Sequence, residues 1–302
     1  RGLESPAEAS RGVELEAGTT PINGWSLYGS LTVQQSKVLN DIRTSATAVL
    51  PTTGKHFALT PRTMAGLALQ YTNGPLYARL KAKHTGNQYA TLMNDEEVPS
   101  YMTADFDAGY KFGDMAFMKN PMIRLNGVVG SPVARRRDEP FMDDKLFYGL
   151  SLDIGPFLGG LDVSLFAIEQ RDRSILDRQA VGAEARYFDA NASAFAMVDY
   201  DIHYQELNAA VLSGSWTLAD KSVIHGGLDY RKSPYLSTWT ALQGQTYRTL
   251  YEMLKVQTLD QIEALALDRT ALYEAATIGY TMPINEQLQA SFDATVTDIH
   301  GT

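Results

Sequence analysis

Residues 101–112 read Tyr101-Met102-Thr103-Ala104-Asp105-Phe106-Asp107-Ala108-Gly109-Tyr110-Lys111-Phe112, and this stretch decides the fold. Met102, Ala104, Phe106, Ala108, Tyr110 and Phe112 fall on one side of an extended chain. Thr103, Asp105, Asp107, Gly109 and Lys111 fall on the other. Successive side chains of a strand point to opposite faces, so the stretch has one apolar and one polar surface. The pattern recurs at 11–17, 24–38, 61–72, 76–88, 121–133, 145–156 and 159–172, then at 180–189, 194–203, 207–218, 222–231, 270–282 and 287–298. With 101–112 that makes fourteen strand candidates separated by hairpin-sized gaps. Such a series predicts an all-β, antiparallel, up-and-down transmembrane β-barrel of about fourteen strands.

The connections alternate in length. Tight ones fall at Asn73-Gly74-Pro75, Pro156 to Gly159, Asp189 to Ser193, Ala219 to Lys221 and Asn285-Glu286. Longer ones cover 39–60, 89–100, 134–144, 173–179 and 232–269, with a weak case at Tyr204 to Glu206. A meander puts odd gaps at one end and even gaps at the other, so short turns face long loops, as in outer-membrane barrels. Trp25, Tyr28, Tyr71, Tyr77, Tyr101, Tyr110 and Phe112 gather near strand ends, as interfacial girdles do. One long loop, 240–269, breaks the period. Leu250, Met253, Leu254 and Leu259, Ile262, Leu265 recur at helical spacing, and Thr258-x-x-Gln261 has the form of a capping box. That loop is either a helical lid at one end of the strands or a surface segment folded on its own apolar side chains.

The chain has 302 residues, 44% of them apolar, with a net charge of −9 and no cysteine. The acidic balance argues against nucleic acid as a partner, and the Arg135-Arg136-Arg137 run, followed by Asp138 and Glu139, reads as a solvated loop. Without cysteine there is no disulfide, thiolate metal site or cysteine nucleophile. No run approaches the ~18 apolar residues of a membrane helix, which leaves a barrel open because its apolar band sits in alternate positions. Residues 1–10 read as a disordered start and 11–302 as a single barrel, in which 11–127 and 128–302 differ in character. Both ends read as internal to a longer parent.

Few residues suggest chemistry. His56, His84, His203, His225 and His300 are scattered without metal-ligand spacing. His203 shares a strand face with Asp199 and Asp201, and a serine from a neighbouring strand would complete a hydrolase set; the competing reading is an ordinary polar lining. Asp95-Glu96-Glu97 lacks the spacing of a calcium loop and reads as a solvated acidic turn. Arg79, Lys81 and Lys83 share one face, either as an anion-attracting strip or as partners of Asp105 and Asp107 on the next strand. The expectation is a protein with no catalytic residues, metal or cofactor, and with ligand-binding residues unknown.

Arg11-Gly12-Val13-Glu14-Leu15-Glu16-Ala17 followed by Gly24-Trp25-Ser26-Leu27-Tyr28-Gly29-Ser30 resembles neighbouring barrel strands of TonB-dependent outer-membrane receptors. Thr60-Pro61-Arg62-Thr63-Met64, Val98-Pro99-Ser100-Tyr101, Asp105-x-x-x-Gly109-Tyr110-Lys111-Phe112 and Asn120-Pro121-Met122-Ile123-Arg124-Leu125-Asn126 continue the likeness, which covers about 10–127. Where that family turns into one last strand, this chain runs on through Gly127-Val128-Val129-Gly130. Residues 126–302 resemble a second bacterial outer-membrane barrel, through Val181-Gly182-Ala183-Glu184-Ala185-Arg186-Tyr187-Phe188 and Leu228-Asp229-Tyr230-Arg231. The resemblance implies a porin-like barrel in the bacterial outer membrane, in contact with lipid bilayer and lipopolysaccharide, taking part in transport of a small solute such as an iron-siderophore chelate. A TonB-type energy-transducing partner would act through a plug domain missing from this stretch. The alternatives are a structural or anchoring barrel without transport, and a soluble β-barrel holding an apolar ligand between inward-facing apolar strands.

Overall fold

The computed structural model describes residues 8–43, 48–113, 118–130, 145–157, 159–285 and 288–300. In chain order the strands of the first part are β1 (Glu8–Gly18), β2 (Trp25–Val38), β3 (Ile42–Arg43), β4 (Val49–Leu50), β5 (Thr63–Asn73), β6 (Leu76–Thr85), β7 (Gln88–Tyr89), β8 (Glu97–Val98) and β9 (Tyr101–Lys111). Then come β10 (Met118–Gly130), β11 (Lys145–Phe157), β12 (Leu161–Asp172), β13 (Ile175–Phe188), β14 (Ala192–Asp201), β15 (Glu206–Thr217) and β16 (Val223–Ser233). A 3-10 turn (Thr238–Leu242) and helices α1 (Leu250–Met253) and α2 (Leu259–Asp268) precede β17 (Ala271–Pro283) and β18 (Gln289–His300). The long strands form one 14-stranded sheet in the order β1-β2-β5-β6-β9-β10-β11-β12-β13-β14-β15-β16-β17-β18, each next to its chain neighbours, while β3–β4 and β7–β8 are separate hairpins. The fold is therefore the expected all-β, up-and-down one, with every strand candidate realised.

Two compact units divide the chain: residues 1–108 with 127–148, and 109–126 with 149–302. In the first, β1 opens at Glu8, inside the stretch expected to be unstructured, and runs in register with β2 through Leu15↔Leu31. Asn23 and Gly24 make the turn with φ of 51° and 85°, the two positive angles of a type I′ hairpin. A Cβ at Gly24 would also meet the Thr72 carbonyl oxygen, so glycine is required there twice over. Trp25 packs on Tyr71 with ring centroids 4.8 Å apart, pairing two of the expected girdle aromatics. The connections 39–62 and 86–100 are tied to each other: Asn94 accepts from the His56 backbone N–H at 2.6 Å and donates to its carbonyl at 2.8 Å.

In the second unit, β12 to β18 pair consecutively and antiparallel, with register shifts at Gln170/Arg171 and Asp199/Tyr200. Here one expectation fails. The gap at 173–179 is a two-residue turn, Arg173-Ser174, because β13 begins at Ile175 after an irregularity between Gln170 and Arg171. Within and beside that expected loop, the side chains of Asp172, Asp177 and Arg178 are almost wholly withdrawn from solvent. The long 234–270 connection sits against these short hairpins. Its buried cluster joins Ile175 to Trp239, Leu242, Leu250, Met253, Ile262 and Ala266. The predicted capping box opens α2: Thr258 Oγ1 accepts from the Gln261 N–H, and Gln261 Oε1 accepts from the Thr258 N–H at 3.0 Å.

Candidate functional site

The two faces of the strands carry opposite chemistry. Within the first unit Leu67 of β5 and Leu80 of β6 are 54% and 51% exposed, and Met102 and Phe106 of β9 are exposed as well. Within the second, Leu150, Leu165, Leu212, Leu228, Ile278 and Val296 are all exposed. A soluble barrel enclosing an apolar ligand would turn these side chains away from solvent; here they stand exposed. A shallow groove of about 610 Å³ crosses this apolar face, edged by Val198, Leu212, Leu228 and Val296.

The other face is a lattice of polar pairs. In the first unit Arg79 Nε donates to Asp107 at 2.8 Å, and Lys81 lies 3.7 Å from Asp105. Of the two readings of the basic strip, cross-strand pairing is the one the structure adopts for Arg79 and Lys81. In the second unit Asn126 and Ser164 both donate to Asp153 at 2.7 Å. Arg178 pairs with Asp199, Arg186 with Glu184, and Arg231 with Asp229. Ser193 and Ser215 share a hydrogen bond at 2.7 Å on one wall of a cavity of about 300 Å³, which Phe195 and His225 also line. His225 Nε2 meets Asp293 at 2.7 Å by reaching over Gly279, where a Cβ would collide with both groups.

The hydrolase set suggested around His203 does not assemble. β14 ends at Asp201, so His203 lies in the following turn and contacts Glu263 of α2 at 2.9 Å. Asp199 is committed to Arg178, and Asp201 accepts from the Tyr204 N–H at 3.0 Å. Around His225, no hydrogen bond joins Ser215 to the ring among the described residues. In the acidic turn Asp95 accepts from Thr91, and Glu97 of β8 accepts from Asn87 at 2.7 Å. No group of three or more His, Asp or Glu among the described residues is set to hold a metal. Arg135, Arg136 and Arg137 lie outside the described residues.

The features that sequence reasoning missed are the seats of the 234–270 segment. Trp239 Nε1 donates to Asp172 at 2.6 Å and the Trp239 N–H to Asp177 at 3.0 Å. The Leu236 N–H donates to the fully buried Asn208 at 3.0 Å. Tyr204 shares a hydrogen bond with Thr238 at 2.7 Å, and burial pushes its phenol above the ordinary range, so it stays neutral. The available signal was the repeated Asp-Arg of Asp172-Arg173 and Asp177-Arg178, charges placed where a strand was otherwise continuous.

An up-and-down sheet with an exposed apolar face and a paired polar one has the organisation of a transmembrane barrel wall. Residues 6–128 match the family described as TonB dependent receptor-like, beta-barrel, a family of bacterial outer-membrane transport barrels. The matched span is close to the 10–127 of the sequence resemblance. A search of curated proteins gave no match.

Proposed function

We propose that this chain is an outer-membrane β-barrel of TonB-dependent-receptor type that takes part in the uptake or passage of a small solute, with an iron chelate as the class the family implies. Its fourteen long strands pair in one up-and-down sheet, and 234–270 packs at one end of β12 to β15. The observation that carries this reading is the polarity of the strands: large apolar side chains are exposed, and charged side chains pair on the opposite face. Burial of that apolar face in lipid would be worth roughly 25 cal/mol per Å² removed from water. The match over residues 6–128 supplies the transport class. A TonB-type partner and lipopolysaccharide follow from that class as proposed contacts.

The test is refolding into detergent micelles and into plain buffer, followed by circular dichroism and gel mobility with and without boiling. A β spectrum with anomalous unboiled mobility in detergent alone supports a membrane barrel. A monomeric β protein in plain buffer refutes it.

A further inference from the structure

We propose that the polar face of β12 to β18 is an electronegative surface that favours cationic solutes over anions; the inference rests on the barrel reading above and names the solute class. The strand registers put Asp162, Glu184, Asp199, Asp201, Asp229 and Asp293 on this one face. Three guanidinium groups share it, and each is engaged: Arg178 by Asp199, Arg186 by Glu184 and Arg231 by Asp229. Asp162, Asp201 and Asp293 are therefore in excess of the fixed cations on the face. His225, beside Asp293, adds a charge only when protonated.

The excess is accessible: Asp162 is exposed, and the Asp293 side chain is 52% exposed. Asp201 is fully buried and accepts the Tyr204 N–H, so Asp162 and Asp293 are the carboxylates that a solute meets. Carboxylates lining a pore favour cations. The strip on β6 and β9 is different: there Arg79 and Lys81 pair with Asp107 and Asp105, and Lys83 is a further cation on the same face. The surface thus selects a cation, whether a monovalent ion or a positively charged chelate, and disfavours anionic chelates.

The refolded full chain, inserted into planar bilayers under a tenfold potassium chloride gradient, tests this through the zero-current potential. The expected result is several-fold preference for potassium, reduced towards unity in Asp162→Asn/Asp293→Asn. Equal permeability or chloride preference overturns the inference. So does unchanged preference in the double variant at native gel mobility, or an inserted protein that passes neither ion. Failure to insert at all defeats the membrane reading instead.

Discussion

The strands and the 234–270 segment use the same apolar residue types in opposite ways. On β16, β17 and β18, Leu228, Ile278 and Val296 are 57%, 65% and 75% exposed; in the segment, Leu250, Met253 and Ile262 are 0% exposed. Period-two spacing gathers apolar side chains on one flank of a sheet and leaves them for an external apolar phase. Helical spacing gathers them into a core of their own, closed against Ile175 and Trp239. The contrast teaches that this chain is built for two surroundings, hydrocarbon along its strands and water beyond them.

Charging the strand flank should have the largest effect. Arginine on a lipid-facing position near the membrane midplane costs about 2–4 kcal/mol. Leu228→Arg/Ile278→Arg should therefore abolish insertion, read as loss of the unboiled anomalous band. Phe106→Arg should weaken it, whereas Asp105→Ala on the opposite face, which removes the 3.7 Å contact with Lys81, should be mild. If the arginine pair folds unchanged in buffer, the apolar flank never meets lipid and the comparison fails.

Emptying the segment's core should have a smaller and local effect. Ile262→Ala removes a fully buried side chain, at about 2–5 kcal/mol depending on how far the site collapses. Limited proteolysis should then cut within 243–257 while strand ellipticity is kept. Thr258→Ala removes the capping-box acceptor for the Gln261 N–H, at ~1 kcal/mol, and should raise the same cleavage modestly. Loss of strand structure in either variant would mean that the segment holds the sheet together.

The strands were legible because alternation is a local property. Leu288, Ala290, Phe292, Ala294 and Val296 can be read without knowing what they pair with. The α2 capping box was legible for the same reason, since Thr258 and Gln261 meet within one turn. The seats of the segment were not legible. Asp172 and Trp239 are 67 positions apart, and His203 and Glu263 are 60. Contacts of that range depend on which hairpins the sheet brings together, and charged residues beside a turn read as solvated until their partners are known. The excess of carboxylates on one face was similarly hidden, because it appears only once register assigns each residue to a side.

The smallest expected effect separates apolar from polar anchoring of the connections. The 39–62 connection is held by polar ties around His56, whose ring stacks on Tyr89 at a centroid distance of 5.7 Å. Arg62 can only donate, so its 2.5 Å contact makes His56 Nε2 an acceptor and the ring neutral. Burial first, and then the charge of Arg62, hold the His56 pKa below its ordinary value of 6.5. Protonation is therefore easier in the unfolded loop than in the folded one, so stability rises with pH across the window that opens below 6.5. The ties should be at full strength at pH 8 and should weaken as pH falls through 6.5 towards the lowered value. Amide exchange of residues 52–60, followed between pH 8 and pH 5 after correction for intrinsic rates, should show progressive opening. His56→Gln, which has no titrating ring, should flatten that response. The Leu250, Met253 and Ile262 core contains no titratable side chain, so its protection should change less over the same range. Equal loss of protection in both places would indicate a global acid transition and would remove the distinction between the two kinds of anchor.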